Sequence, residues 1–172
     1  MAISLYEASV TSYLQTLDAV SHYLDKALAH FREHQVDPEQ IVETRLFADM
    51  HPFRFQVQSI AFHSLGAIDS IRVGTFQPPG ERLEQDYAGL QALIVETRDA
   101  LKRLQPEQVN ALEGKELIFK GSSVRTFTAE GFLLSFSLPN FYFHAATAYD
   151  ILRMKGVPVG KRDFIGALRV KG

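Results

Sequence analysis

His144 and Tyr142 are the side chains of this 172-residue chain whose types and setting best suit chemistry. Both belong to Pro139-Asn140-Phe141-Tyr142-Phe143-His144, where three aromatics and an imidazole follow a helix-breaking residue inside a stretch that otherwise reads as helix. An imidazole titrates near neutrality and can act as acid, base, hydrogen-bond partner or metal ligand, and a phenol adds a weak acid or donor. Proline removes a backbone donor and clashes with the preceding turn, which predicts a kink at Pro139 with polar groups turned toward a neighbour or a ligand. A second polar group lies earlier in the chain. His63 follows Gln56 and Ser59 at intervals of seven and four, so the three share one face of a helix.

If Asn140 and His144 face that seam, the result is a polar cavity inside an apolar interior. Gln56, Ser59, His63, Asn140 and His144 are therefore the candidate ligand-binding residues, and His144 and Tyr142 the candidates for catalysis. Unpaired buried polar groups cost about 1–3 kcal/mol each, so such a cavity must hold an internal network, water or a ligand. The competing reading makes His144 a hydrogen-bonded core residue, and makes Tyr142, Tyr6 and Tyr13 packing groups whose hydroxyls reach outward.

Composition narrows the function classes. The chain has no cysteine, which removes disulfides, thiolate ligands and a cysteine nucleophile and leaves nitrogen and oxygen chemistry. Eighteen basic and twenty acidic residues give a net charge of −2, without the basic excess that binding to phosphate backbones requires. The N-terminus has no basic region followed by an apolar core, and no apolar run of about 18 residues is present to span a bilayer. The expectation is a single-domain cytoplasmic protein with neither nucleic-acid nor membrane partners.

Four amphipathic segments must position the candidates. Val10, Leu14, Leu17, Ser21, Leu24, Leu28 and Phe31 alternate spacings of four and three, predicting helix one from about Ser4 to Glu33. Asp37-Pro38-Glu39-Gln40 carries a helix start signal, Pro52 interrupts, and Phe55, Ile60, Leu65 and Ile68 carry helix two over about 50–73 to Gly74. Residues 75–80 contain Pro78-Pro79-Gly80 and read as a connector. About ten extended residues, the span between helices two and three, reach roughly 33 Å, so this connection can turn back or cross the bundle, and both topologies stay open.

Leu83, Tyr87, Leu90, Leu93, Ile94, Leu101 and Leu104 mark helix three, which Pro106 stops. Alternation from Glu116 to Thr128 around Lys120-Gly121-Ser122-Ser123 predicts a hairpin, and helix four runs from Thr128 through the kink to about Lys155. Four apolar stripes that must cover one another predict an all-α four-helix bundle with a small β-hairpin between helices three and four.

Met1-Ala2-Ile3-Ser4-Leu5-Tyr6, Ala48-Asp49-Met50 with Gln56-Val57-Gln58, the Pro139–His144 run, Ile151-Leu152-Arg153 and Gly156-Val157-Pro158-Val159-Gly160-Lys161 together resemble a bacterial branch of unknown function in the DinB/YfiT-like superfamily, over nearly the whole chain. That resemblance implies an up-down-down-up bundle, often homodimeric. Better-known relatives bind a divalent metal through three histidines, one on helix two and two on helix four spaced by four residues, and act as hydrolases or as thiol-dependent transferases and isomerases. His144 matches the first helix-four position, but Ala148 stands four residues on, where nothing can ligate. Tyr149 and Asp150 are rotated from the His144 face by about 140° and 240°.

No cofactor is therefore predicted, and His63 and His144 are the remaining metal-ligand candidates. The sequence does not decide whether the protein is an enzyme. The leading expectation is a bundle with a polar interhelical pocket for a small ligand. The alternatives are a divalent-metal-dependent hydrolase or thiol-dependent transferase using His63 and His144, and a homodimeric structural or interaction protein.

The other histidines carry less. His22 lies between Asp18 and Asp25 at helical spacing, His30 and His34 are four apart near a helix end, and His51 precedes Pro52 at a bend. The Gly156–Arg162 run lacks the glycine spacing and hydroxyl of a phosphate loop. Residues 157–172 read as a tail, and the stretch from Tyr149 to Gly172, with six basic and two acidic residues, is locally positive and able to steer anions.

Overall fold

Ser4 opens the first helix: its hydroxyl accepts from the Glu7 amide, and the Glu7 carboxylate accepts from the Ser4 amide. The computed structural model describes residues 3–80 and 83–171. Helix one of the sequence is two pieces, α1 (Leu5–Ala8) and α2 (Val10–Glu33), parted at Ser9, whose hydroxyl donates to the Leu5 carbonyl at 2.6 Å. The face that α2 buries centres on Tyr13, Leu17, Val20, Tyr23, Leu24 and Ala27, so Leu14 and Leu28 lie only at its margin. Two tyrosines thus belong to the core. The Tyr23 hydroxyl donates to the Ala145 carbonyl at 3.2 Å, and burial pushes this phenol above its ordinary pKa.

The Asp37 start signal yields only the short α3 (Glu39–Val42). Helix two is interrupted as well, into α4 (Phe53–Phe62) and α5 (Leu65–Val73). The break falls at His63 and Ser64, where the single hydrogen of the Ser64 hydroxyl is shared between the carbonyls of Ile60, at 2.8 Å, and Ala61, at 3.1 Å, and competes with the helical ladder. Gly74 ends α5 at φ 82°, a left-handed conformation that glycine adopts without strain. The expected connector then begins as a strand, β1 (Thr75–Phe76). Helix three starts later than Leu83, which is exposed: α6 (Tyr87–Lys102) begins behind Asp86, whose carboxylate caps the Gly89 amide at 2.7 Å. A short α7 (Pro106–Asn110) follows.

The strands β2 (Glu116–Lys120) and β3 (Val124–Thr128) pair antiparallel with Glu116 opposite Thr128, and β1 joins β2 in parallel with Phe76 opposite Phe119. The architecture is mostly helical with one three-stranded sheet. Among the described residues, no helix is long and apolar enough to cross a membrane.

The predicted proline kink is displaced. After α8 (Ala129–Phe132) comes a π-helical turn (Leu133–Ser137), and α9 (Leu138–Met154) starts with Pro139 in its first turn. Lacking an N–H, Pro139 cannot bond to the Ser135 carbonyl, and the wider π-turn absorbs the mismatch one turn upstream. α9 packs on α4 and α2, while α6 packs on α2 and α4.

The basic C-terminal stretch is more than a tail. It forms α10 (Lys161–Ile165) on the surface of α2, held where Gln15 Nε2 donates to the Ile165 carbonyl at 3.1 Å. Asp163 accepts from the Gly160 amide at 2.7 Å, from Lys26 Nζ at 3.1 Å and from His22 Nε2 at 3.1 Å. His22 therefore turns to Asp163 instead of its helical neighbours. Asp18 meets Arg98 and Lys102, and Asp25 accepts from Gln91.

The Gly160 amide holds the Asp163 carboxyl below its ordinary pKa; partial desolvation opposes it, and Lys26 and His22 assist. A depressed carboxylate stabilises the fold fully above its unfolded pKa of about 3.9 and loses that contribution as pH falls through its lower folded value. Hydrogen exchange at residues 160–166 is accordingly expected to accelerate only below about pH 4, and Asp163→Asn is expected to produce the same acceleration at neutral pH. Unchanged protection in the variant would remove Asp163 as the clasp.

Candidate functional site

Four of the five candidate ligand-binding residues line one cleft. Ser59 and His63 reach it from the end of α4, and Asn140 and His144 from successive turns of α9. The cleft encloses about 230 Å³ and is walled by Phe55, Phe62, Phe76, Pro78, Pro79 and Phe136. Gln56, only 2 % exposed, stands behind the wall and bonds to His144. Tyr142 does not line the cleft: its side chain lies on the outer face of α9, 41 % exposed beside the equally outward Phe143. Tyr6 lies elsewhere too, on α1, where its amide donates to Asn110.

The local sequence explains how each group is aimed. Phe136, Asn140 and His144 recur every four residues across the π-turn and α9, which puts them on one face. On α4, Phe55, Ser59, Phe62 and His63 do the same with spacings of four, three and one. His63 is the residue at which α4 stops, and its carbonyl accepts from the Ser137 hydroxyl at 2.6 Å. A hydroxyl has one hydrogen to give, so Tyr13 must donate to Ser137 Oγ across their 2.6 Å contact. The chain Tyr13 to Ser137 to His63 thus joins α2, the π-turn and the end of α4 in the protein interior. Burial pushes the Tyr13 phenol well above its ordinary pKa, outweighing the opposing bond to Ser137, so it remains a neutral donor.

His144 is held with equal definiteness. The Gln56 amide nitrogen donates to the His51 carbonyl at 2.8 Å, which assigns the amide orientation and turns Oε1 toward the imidazole. Oε1 can only accept, so His144 Nδ1, 2.7 Å away, carries the hydrogen. In the neutral ring, Nε2 is then the acceptor. The aromatic surround completes the placement: His144 meets Phe55 at 5.9 Å edge to face, and the His63 and His144 rings lie 5.6 Å apart at 13°. His51 stacks on Phe55 at 3.9 Å, so the bend predicted there also supplies the carbonyl that orients Gln56.

Two imidazoles sharing one tetrahedral ion have ring centres roughly 5 Å apart, given metal–nitrogen distances of about 2.1 Å, so the spacing of His63 and His144 is compatible with a shared ion. A three-histidine set is nevertheless incomplete. The position four residues beyond His144 is the buried Ala148, and no cluster of three His, Cys, Asp or Glu converges among the described residues. Among the described residues, the donors do not complete the three-histidine set that the family resemblance implies. His30 and His34 lie on the surface near the end of α2, ring against ring at 4.1 Å, with His34 Nδ1 against the His30 carbonyl.

Sequence reasoning missed Phe76, Pro78, Pro79 and Ser137. The four-residue spacing of Phe136, Asn140 and His144 was available as a signal for one side of the cleft. Nothing local marks Phe76 and the prolines as its wall, because they reach it through the pairing of β1 with β2.

A family model described as a domain of unknown function, DUF1993, matches residues 5–165. A crystal structure of a DinB family member protein from Shewanella denitrificans is similar at 27 % identity and a TM-score of 0.82, over 98 % of this chain and 95 % of that one. No curated protein matches. With the family model spanning all but the two ends of the sequence, the chain belongs to the DUF1993 family and has the fold of a DinB-like relative.

Proposed function

We propose that this protein is a DinB-type four-helix bundle whose cleft between α4 and α9 binds a small molecule through His144, His63, Ser59 and Asn140, without a complete three-histidine metal site. One observation carries the reading: polar side chains from two helices converge on a cavity walled by aromatics, and the central imidazole is oriented by Gln56 from behind. A histidine kept only for packing has no need of a cavity in front of it. A second-layer amide that fixes a ring's tautomer is how proteins prepare a nitrogen for a defined partner. The general arrangement of apolar walls and a few aimed polar groups is that of small-ligand sites.

The test is His144→Ala with ligand-observed NMR against a library of single-ring fragments, alongside urea unfolding. Fragments that bind the parent protein are expected to lose about tenfold or more in affinity, equivalent to about 1.4 kcal/mol or more. Fragments that bind the variant unchanged, together with a loss of stability, would return His144 to the role of a packed core residue.

A further inference from the structure

A second pair of imidazoles meets at the C-terminal end of α2, apart from the cleft: His30 and His34. They are one helical turn apart, so both side chains leave the same face. Their ring centres lie 4.1 Å apart with the planes tilted by 39°. His34 is exposed and His30 half-buried, which leaves the pair within reach of solvent.

The backbone decides which nitrogen of His34 is available. Its Nδ1 lies 2.9 Å from the His30 carbonyl, and a carbonyl only accepts, so Nδ1 carries the hydrogen and Nε2 of the neutral ring keeps a bare lone pair. A backbone carbonyl behind one ring nitrogen is the usual support of a histidine that ligates through the other. The His30 ring meets the rings of Phe31 and His34, and among the described residues no hydrogen bond fixes its tautomer.

The separation of the rings bears on the kind of ion. Two imidazoles on adjacent positions of a square-planar or octahedral ion, at 90° and with metal–nitrogen distances of about 2.1 Å, have ring centres roughly 4.5 Å apart, against roughly 5 Å on a tetrahedral ion. The observed 4.1 Å is nearer the first value. Among the described residues no third His, Cys, Asp or Glu converges here, so water fills the remaining positions, as copper and nickel in tetragonal or octahedral coordination allow. The end of α2 favours a cation because its last carbonyls carry roughly half a negative charge. Asp37 and Lys155 border His30 in a cavity of about 80 Å³, and their formal charges offset each other.

We propose that His30 and His34 chelate one divalent transition-metal cation, Cu²⁺ foremost and Ni²⁺ after it, through one nitrogen of His30 and Nε2 of His34. Copper leads at any site of nitrogen ligands, and the adjacency of the rings is what puts nickel ahead of zinc.

The test titrates copper, nickel and zinc chlorides separately into the full chain, carrying no added histidine tag, at about pH 7.5, where an ordinary imidazole is neutral. Calorimetry is expected to give one tight equivalent in the order copper, nickel, zinc. Substoichiometric Cu²⁺ is expected to broaden the ring resonances of His30 and His34 before those of the other histidines. His34→Ala is expected to weaken Cu²⁺ binding about tenfold or more, because a second ligand held nearby acts at high effective concentration, while His22→Ala leaves it unchanged. Should His34→Ala not fold, the order of resonance broadening in the parent protein still decides the matter.

Broadening centred on another histidine, unchanged Cu²⁺ affinity in His34→Ala, or no binding at about 100 μM cation would overturn the chelate. Zinc bound more tightly than nickel would overturn its geometry of adjacent positions. None of these results bears on the cleft, which the fragment experiment tests separately.

Discussion

Phe76→Ala is expected to lower the unfolding free energy by about 3–5 kcal/mol, the range for removing a fully buried phenylalanine whose surroundings cannot close the gap. Phe76 is 1 % exposed and touches five other rings: Phe62 at 5.1 Å, Phe119 at 5.2 Å, Phe132 at 5.1 Å, Phe136 at 5.3 Å and His63 at 6.2 Å. These neighbours come from α4, β2, α8, the π-turn and the end of α4, so collapse into the void would require several backbones to move together. Interiors are packed too tightly for that. β1 pairs with β2 over only two residues, so β2 and β3 are expected to lose hydrogen-exchange protection along with global stability. Urea unfolding supplies the first measurement and exchange the second. A cost under about 1 kcal/mol would mean that the ring cluster does not organise the sheet against the helices.

Ser137→Ala is expected to cost about 2–4 kcal/mol although it removes a single oxygen. That oxygen accepts from Tyr13 and donates to the His63 carbonyl, both at 2.6 Å and both buried, so its loss removes the acceptor of one buried group and the donor to another. Tyr13→Phe removes the other end of the chain and leaves Ser137 still bonded to His63, so its cost is expected to be only about 0.5–1.5 kcal/mol. The asymmetry is the diagnostic quantity. Because the Ser137 bond holds the residue that ends α4, Ser137→Ala is also expected to shift the imidazole resonances of His63, whereas Tyr13→Phe moves them less. Equal costs for the two variants would show that the His63 carbonyl finds another donor and that the break between α4 and α5 does not depend on Ser137.

Much of the site was legible because helical spacing acts over short distances. Ser59 with His63, and Asn140 with His144, are each one turn apart, and such pairs share a face wherever the helix lies. Apolar periodicity located the helical segments that carry them for the same reason. Their ends were less legible. Ser9, Ser64 and the Leu133–Ser137 turn each divide what periodicity reads as one continuous helix, through hydroxyl bonds to backbone carbonyls or through a widened turn that Pro139 imposes upstream of itself. The stripe along α2 was misplaced by about one residue because Tyr13 and Tyr23 count as amphipathic in a sequence, yet both are buried with their hydroxyls bonded internally. Tyr142, chemically as suitable as any, proved to sit on the outer face of its helix.

By itself the sequence determined the helical segments, the absence of cysteine side chains, the presence of a non-ligating alanine at position 148, and which polar residues share a helix face. Each of these depends on residue type or on contacts within a turn or two. Only the tertiary structure decided that His144 meets Gln56 across 88 positions of chain, that Ser137 reaches the His63 carbonyl across 74, and that a two-residue strand supplies the wall of the cleft. Those relations depend on how whole helices pack and on where a strand finds its partner, and no local spacing encodes either.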